Sequence, residues 1–354
     1  MNNRILVIGP MGTGALAQSY ARAFEHLGMQ VFRFDPDLAL NRASKYPGNR
    51  IARRALRPLL WNALNHEALE IAQSVRPAMI FAVKCSFLDS ETVREIRRIA
   101  GVPFVNCYPD NPYNPVRLDP REASALRRDL IHVLAQYSIV WMWEKSLTDR
   151  LRGDGVEAKY LPFAFDPELA PTRPSEEGLY CDSCGQAHSV AFVGTGSRAR
   201  RLELEAVNHP LAIWGDNWPP DWRLSSRKLH LHPAIWGNQV FDVYAKAAVS
   251  LNVLNAESLE GHNMRTFEIP GSGGLMLARY TKAQAEMFPE DEAAIYYRSP
   301  QELNGKIDCV LRDREHRARI RRNARRIAMD QTYDRRAAAV LRECGVATPT
   351  RLNP

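Results

Sequence analysis

A repeated opening constrains this chain more than any other feature. Arg4–Ile8 (RILVI) runs into the turn Gly9-Pro10-Met11-Gly12-Thr13-Gly14, and Val190–Val193 (VAFV) runs into Gly194-Thr195-Gly196-Ser197. Each apolar run is followed by glycines and then by a segment whose apolar residues recur at helical spacing. A buried strand, a tight turn and a helix in that order begin an α/β unit built on a parallel sheet. Two such openings in 354 residues predict two α/β domains, because a single core stops growing at about 250–300 residues.

The alternation continues after each opening. In the first half, strands at Gln30–Phe34, 78–83, 103–107 and 139–141 alternate with helical patterns over 15–27, 61–75, 89–100 and 120–134. The strands are continuously apolar, as strands covered on both faces must be. The stretch 166–188, rich in Pro, Glu, Ser and Gly, has no periodicity and reads as a linker. Alternation then restarts, with strands at Leu211–Trp214, 250–253 and 274–278 and helices over 198–207, 239–247, 264–269, 299–311 and 313–329. The expected domains are therefore 1–165, a linker 166–189, and 190–330. A C-terminal helix and tail, 331–354, can return to the first domain.

Composition sets the broad class. With 45% apolar and 25% charged residues the chain is an ordinary globular protein. No apolar run reaches the ~18–20 residues that span a bilayer, and MNNRILVIGP has no signal-peptide layout. Both point to a cytoplasmic protein without a transmembrane segment. Six scattered cysteines are then expected to be free thiols. A net charge of +7 suits an anionic ligand without requiring nucleic acid.

The glycine turns narrow the ligand. Gly9, Gly12 and Gly14 precede a helix, and Asp35 follows the second strand, in a layout similar to a dinucleotide site. The spacing is G-x-x-G-x-G, however, and it puts Met11 where the pyrophosphate needs a bare backbone. Three readings stand: a nicotinamide or flavin site, a turn that merely needs glycine, and a substrate-contacting loop. In the second turn, Gly194, Thr195 and Gly196 are followed by Arg198, Arg200 and Arg201. Glycines admit an anion to the backbone and a helix start favours it. Arg198 and Arg201 share a helix face and can supply the fork that grips a phosphate.

The segment 261–279, GHNMRTFEIPGSGGLMLAR, is the most specific in the chain. It resembles the C-terminal domain of the CgeB-like (spore-maturation type) glycosyltransferases, a branch related to the family-4 enzymes of the GT-B class. The hallmark N-M-R-T-F-E-I is matched from Asn263 to Ile269. Trp214-Gly215-Asp216-Asn217-Trp218 is similar to the family's G-D-x-W. Leu161-Pro162 with Asp166-Pro167 resembles its L-P-x-x-x-D-P, and Thr332-Tyr333-Asp334-Arg335-Arg336 its closing T-Y-x-x-R. The resemblance is dense over about 160–340. Earlier it is thin, where Asp110-Asn111-Pro112 is similar to a D-N-P element.

The resemblance implies a GT-B fold, α/β, with two Rossmann-like doubly wound domains facing a central cleft. It implies transfer of a sugar from a nucleoside diphosphate sugar (UDP, dTDP or GDP type) to an acceptor. That acceptor is a small molecule, glycan or protein. No cofactor is required beyond the nucleotide-sugar, which is a co-substrate. Carried over, Glu268 accepts hydrogen bonds from the ribose hydroxyls and closes an E-x7-E spacing with Glu260. Asn263, Met264 and Arg265 line the donor pocket, with Arg265 facing the diphosphate. His232 falls where the family offers backbone groups to the nucleobase, and Trp214 and Trp218 are candidates for stacking. The E-x7-E spacing leans toward a retaining reaction. An inverting one needs a base in the first domain, and Asp110 is the candidate. Gly12, Thr13, Gly14, Asp110 and Asn111 make the acceptor-side loops.

Two further signals are set lower. Cys181-x-x-Cys184 with His188 has a zinc-like look but no second close pair. The basic run 312–326 interleaves acids and lacks aromatics, so it reads as a solvated helix face and not as a nucleic-acid site. A non-catalytic nucleotide-sugar-binding or surface-assembly protein on the same fold, and an NAD(P)-dependent oxidoreductase, are the alternatives. Oligomeric state, sugar, base and acceptor are left open by the sequence.

Overall fold

The computed structural model describes the chain except for residues 1, 39–49, 114–128, 173–178, 182–185, 220–221, 223–228, 256–259 and 350–354, and gives no side-chain account of 50–58, 179–181 and 186–188. The chain divides into two compact units, Met1–Pro162 with Tyr333–Pro354, and Phe163–Thr332.

In the first unit six parallel strands lie in the order β2-β1-β3-β4-β5-β6. They are β1 (Arg4–Ile8), β2 (Gln30–Phe34), β3 (Met79–Val83), β4 (Phe104–Tyr108), β5 (Ile139–Met142) and β6 (Ala158–Tyr160). β3 and β4 are buried at every residue, as their unbroken apolar sequences require. The order reverses between β1 and β3, so ligands of such a sheet bind outside the carboxyl ends of those strands. Helix Tyr333–Glu343, after a second-unit excursion, packs on helix Leu16–His26 of this unit. Tyr20 and Tyr333 rings meet at 5.1 Å, and His26 Nδ1 lies 3.1 Å from Asp334 Oδ1.

In the second unit six parallel strands run β11-β10-β9-β12-β13-β14. They are β9 (Val190–Val193), β10 (Leu211–Trp214), β11 (Leu229–His232), β12 (Val249–Asn252), β13 (Met276–Arg279) and β14 (Ile295–Tyr297). This is the doubly wound order, with its switch point between β9 and β12. A core of Val190, Phe192, Ile213, Leu251, Leu277 and Ile320 lies around this sheet. The stretch read as a linker carries an antiparallel hairpin, β7 (Leu179–Cys181) with β8 (Gln186–His188). Its three-residue strands are too short to show periodicity in sequence.

The 312–326 run is more than a solvated face. Arg314, Arg319, Arg322 and Arg326 are exposed, but Arg317 and Arg321 are buried. Arg321 donates to the carbonyls of Gly273, Ala247 and Ala245. It thereby satisfies the end of helix Asn238–Lys246, where a cation is also favoured by the helix dipole. Arg317 donates to Val310 and Leu311, and Arg325 to Gly271 and Pro171. Replacing Arg321 with Met leaves several buried carbonyls unpaired and should cost about 2–4 kcal/mol. The exposed Arg322→Ala should change stability by less than about 0.5 kcal/mol. Urea melts of the two variants against the parent check the contrast.

Candidate functional site

The structure brings together two segments that lie some seventy residues apart in sequence. Arg265 opens the short helix Arg265–Gly271. Its Nε donates to the carbonyl of Val193, the last residue of β9. The guanidinium lies 5.5 Å over the Phe192 ring. A Cβ added to Gly194 would meet Arg265 Nη2 at 2.3 Å. The arginine therefore lies against the bare backbone of the 194–196 turn, at the switch point.

That turn is held from both sides. Gly194 and Gly196 donate to the carbonyls of Trp214 and Asp216 at 2.8 and 2.7 Å, and Trp218 Nε1 donates to Gly194 O at 3.1 Å. A Cβ at Gly196 would come within 2.5 Å of the Asn217 carbonyl oxygen, and one at Gly215 within 2.1 Å of the Gly194 carbonyl oxygen. Glycine is needed at both because two backbones touch. On the other side, buried Arg200 donates to Thr195 O at 2.9 Å and to Val253 O at 3.2 Å. It clamps the carboxyl ends of β9 and β12 together. Sequence reasoning missed it; the signal was its place three residues after Ser197, whose hydroxyl caps the helix Arg198–Glu205 by accepting from Arg200 N. Thr195 and Arg198 are exposed, while Arg201 pairs with Glu205 at 3.4 Å.

Asn263 is fixed by a polar network. Its Oδ1 accepts from Thr266 N at 3.2 Å, capping the helix, and its Nδ2 donates to Asn252 Oδ1 at 2.8 Å. Fully buried Asn252 in turn donates to Thr266 Oγ1 at 3.1 Å and Gln284 Oε1 at 2.9 Å. The helix has seven residues, and Asn263 serves it as a cap. Met264, half-buried, receives Phe267 N and Glu268 N on its carbonyl at 2.9 and 3.0 Å. Phe267 and Ile269 are wholly buried, which anchors the helix, while Arg265 and Glu268 are half-buried one turn apart. Glu260 is exposed.

Glu268 is the perturbed acid of the cluster. Burial pushes its carboxyl up to about 7, with the Arg265 charge pulling the other way. Burial also raises the Tyr244 hydroxyl well above its ordinary value.

The aromatic candidates are differently placed. Trp214 stacks on His232 at 4.6 Å and 14°, and Trp218 stacks on Trp222 at 4.8 Å and 17°. Trp222 donates to Glu205 at 2.8 Å. His232 ends the edge strand β11, which the sequence pattern did not mark. An edge strand with one face open needs only Leu229 and Leu231 to be apolar, so its sequence looks like a loop.

In the first unit, Met11 N and the amides of Asp37 and Leu38 donate to Asp35 at 3.1, 2.9 and 3.3 Å, engaging both carboxylate oxygens. Asp35 thus ties the glycine turn to β2, which leaves it poorly placed to read the ribose of a dinucleotide. Gly12 and Thr13 are exposed, and Gly14 has φ +80°. Asp110, beyond β4, is ion-paired with Lys84, beyond β3. Lys84 and Cys85 are consecutive non-glycine residues at φ +62° and +51°, a conformation that costs energy. Asn111 accepts from Tyr113 N at 2.9 Å, forming a turn. Cys184 lies outside the described residues, as do the side chains of Cys181 and His188, and with them the zinc reading.

Because the folded Glu268 carboxyl titrates above its ordinary value of 4.5, the neutral form is favoured by folding. The stability it confers is full below about 4.5 and is lost as the pH rises through about 7. The Glu268→Gln variant, measured by thermal melts between pH 5 and 8 without ligand, should therefore gain stability relative to the parent as the pH rises.

Comparisons with known proteins bear on the fold and on the C-terminal half. Residues 198–342 match a family model described as Glycosyl transferase-like. The Anabaena HepE structure in complex with UDP-glucose matches with a TM-score of 0.64 and 16% identity, over 96% of this chain and 99% of that one. Sucrose-phosphate synthase from Thermosynechococcus elongatus gives 0.68 and 11%, over 96% and 98%. A glycosyltransferase from Rickettsia africae gives 0.62 and 11%, over 97% and 98%. The search of curated proteins found no match. No helix among the described residues is long and apolar enough to cross a membrane. The fold is GT-B, and residues 198–342 within it are similar to the glycosyl transferase-like family.

Proposed function

We propose that this chain moves a sugar from a UDP, dTDP or GDP sugar to an acceptor, with retention at the anomeric carbon. The observation that carries the reading is Arg265 seated on the 194–196 turn at the β9/β12 switch point, one helical turn from Glu268. A nucleoside diphosphate needs a cation and bare backbone for the phosphates and an acceptor group for the ribose diol. This cluster supplies all three in one place.

Arg265, with its Nε already anchored on Val193, presents the rest of its fork to the diphosphate. It stabilises the negative charge that grows as the bond from the anomeric carbon to the leaving oxygen breaks. The acceptor oxygen bonds to that carbon on the same face, and its proton passes to the departing diphosphate. No side-chain base is then needed. This agrees with Asp110, whose carboxylate is held by Lys84 and is assigned here, with Asn111 and the 12–14 turn, to acceptor binding. Asn263 and Met264 shape the donor pocket by fixing the helix start.

Ribose hydroxyls donate more strongly to Glu268 when it is ionised, because both carboxylate oxygens then accept and carry the charge. UDP-glucose, whose diphosphate has no ionisation of its own between pH 5 and 8, should bind more tightly as the pH rises through about 7. In Glu268→Gln the affinity should be weaker and flat over that range. UDP, dTDP or GDP should raise the melting temperature of the parent, and Glu268→Ala should remove the shift. Unchanged melting with all three nucleotides would contradict the proposal.

A further inference from the structure

Four tryptophans lie in the second unit: Trp214, Trp218, Trp222 and Trp236. Three are committed to internal stacks with His232 and with each other. Trp236 is 62% exposed. It sits in the loop that leaves the carboxyl end of β11, on the same sheet edge as the 194–196 turn, because β9, β10 and β11 are parallel. The loop is fixed at both ends. His232 is stacked under Trp214 and its carbonyl receives Gly215 N. Gly237, at φ +58° and ψ −131°, turns the chain into helix Asn238–Lys246.

The distances along this edge are set by strand spacing. From the gap between β12 and β9 to β11 is two and a half spacings, roughly 12 Å. A nucleoside diphosphate laid along the edge, with its phosphates on Arg265 and the 194–196 turn, extends its base toward the loop after β11. An indole left in water forfeits burial that tryptophan usually obtains, and a base's π-face restores it.

On the donor reading given above, we propose that Trp236 is the stacking platform for the donor's nucleobase. Trp214 and Trp218 are less available for this role, because each already has one face taken, by His232 and by Trp222. Stacking is tolerant of base identity, so the site binds uridine and guanosine diphosphates alike and holds the larger ring at least as well.

The test is calorimetric titration of UDP, GDP and inorganic pyrophosphate into the full chain and its Trp236→Ala and Trp236→Phe variants. The alanine variant should bind UDP about ten-fold or more weakly, within the ~5–100-fold range of a lost base stack. GDP should lose at least as much, pyrophosphate should be unaffected, and the phenylalanine variant should keep most of the affinity. UDP binding unchanged in Trp236→Ala would overturn the proposal while leaving the glycosyltransferase reading intact, and would hand the indole to a macromolecular partner. Equal losses for UDP and pyrophosphate would overturn it too, showing that Trp236 shapes the loop instead of touching the base. A parent chain that binds none of the three would defeat this proposal and the donor reading together.

Discussion

The second unit is organised around one contact, the Arg265 side chain bonded to the carbonyl at the end of β9. Parallel strands end in carbonyls that have no ladder partner beyond the sheet, and a buried carbonyl must be satisfied. Here two arginines do that work at the switch point: Arg265 takes Val193, and Arg200 takes Thr195 and Val253. The same bonds that close the sheet edge concentrate positive charge there. On the proposed donor reading, the anion-binding site and the structural clasp are one arrangement, with the glycines between them leaving bare backbone.

Arg265 holds that position because the segment before it is fixed. Asn252, Asn263, Thr266 and Gln284 form a connected polar network beneath the helix start. Thr281 donates to Gly261 O at 2.8 Å and caps the helix that carries Gln284. A buried network is worthwhile only when its members are paired, and this one specifies a single arrangement of residues 261–266. Phe267 and Ile269, wholly buried, anchor the following turn. The orientation of Arg265 and Glu268 is therefore a packing consequence two layers deep.

Much of this was legible in the sequence. Apolar runs followed by glycine turns gave the parallel sheets, since full burial leaves an unbroken apolar signature, as in β3 and β4. The N-M-R-T-F-E-I segment identified the helix at the site. Residues whose meaning depends on long-range pairing were not legible. Arg321 read as a surface cation, and Arg200 only as one of three arginines after a glycine turn, because nothing local marks a carbonyl 76 or 53 residues away as the partner. Lys84 gave no signal before β3 and β4 placed it beside Asp110. β6, β11 and β14 escaped notice because strands of three or four residues, or strands with one open face, carry too little pattern. The stack of Trp214 on His232 was not legible either, because the partner lies on the neighbouring strand.

The central claim is that Glu268 reads the ribose diol while Arg265 answers the diphosphate. Titrating UDP and 2′,3′-dideoxy-UDP into the parent chain and into Glu268→Gln tests it most directly, as a cycle that isolates the pairwise coupling. The account predicts that removing the hydroxyls weakens binding to the parent, and that the variant binds both nucleotides with the same reduced affinity. Losses that simply add, with the variant still distinguishing the two nucleotides as strongly as the parent does, would contradict it.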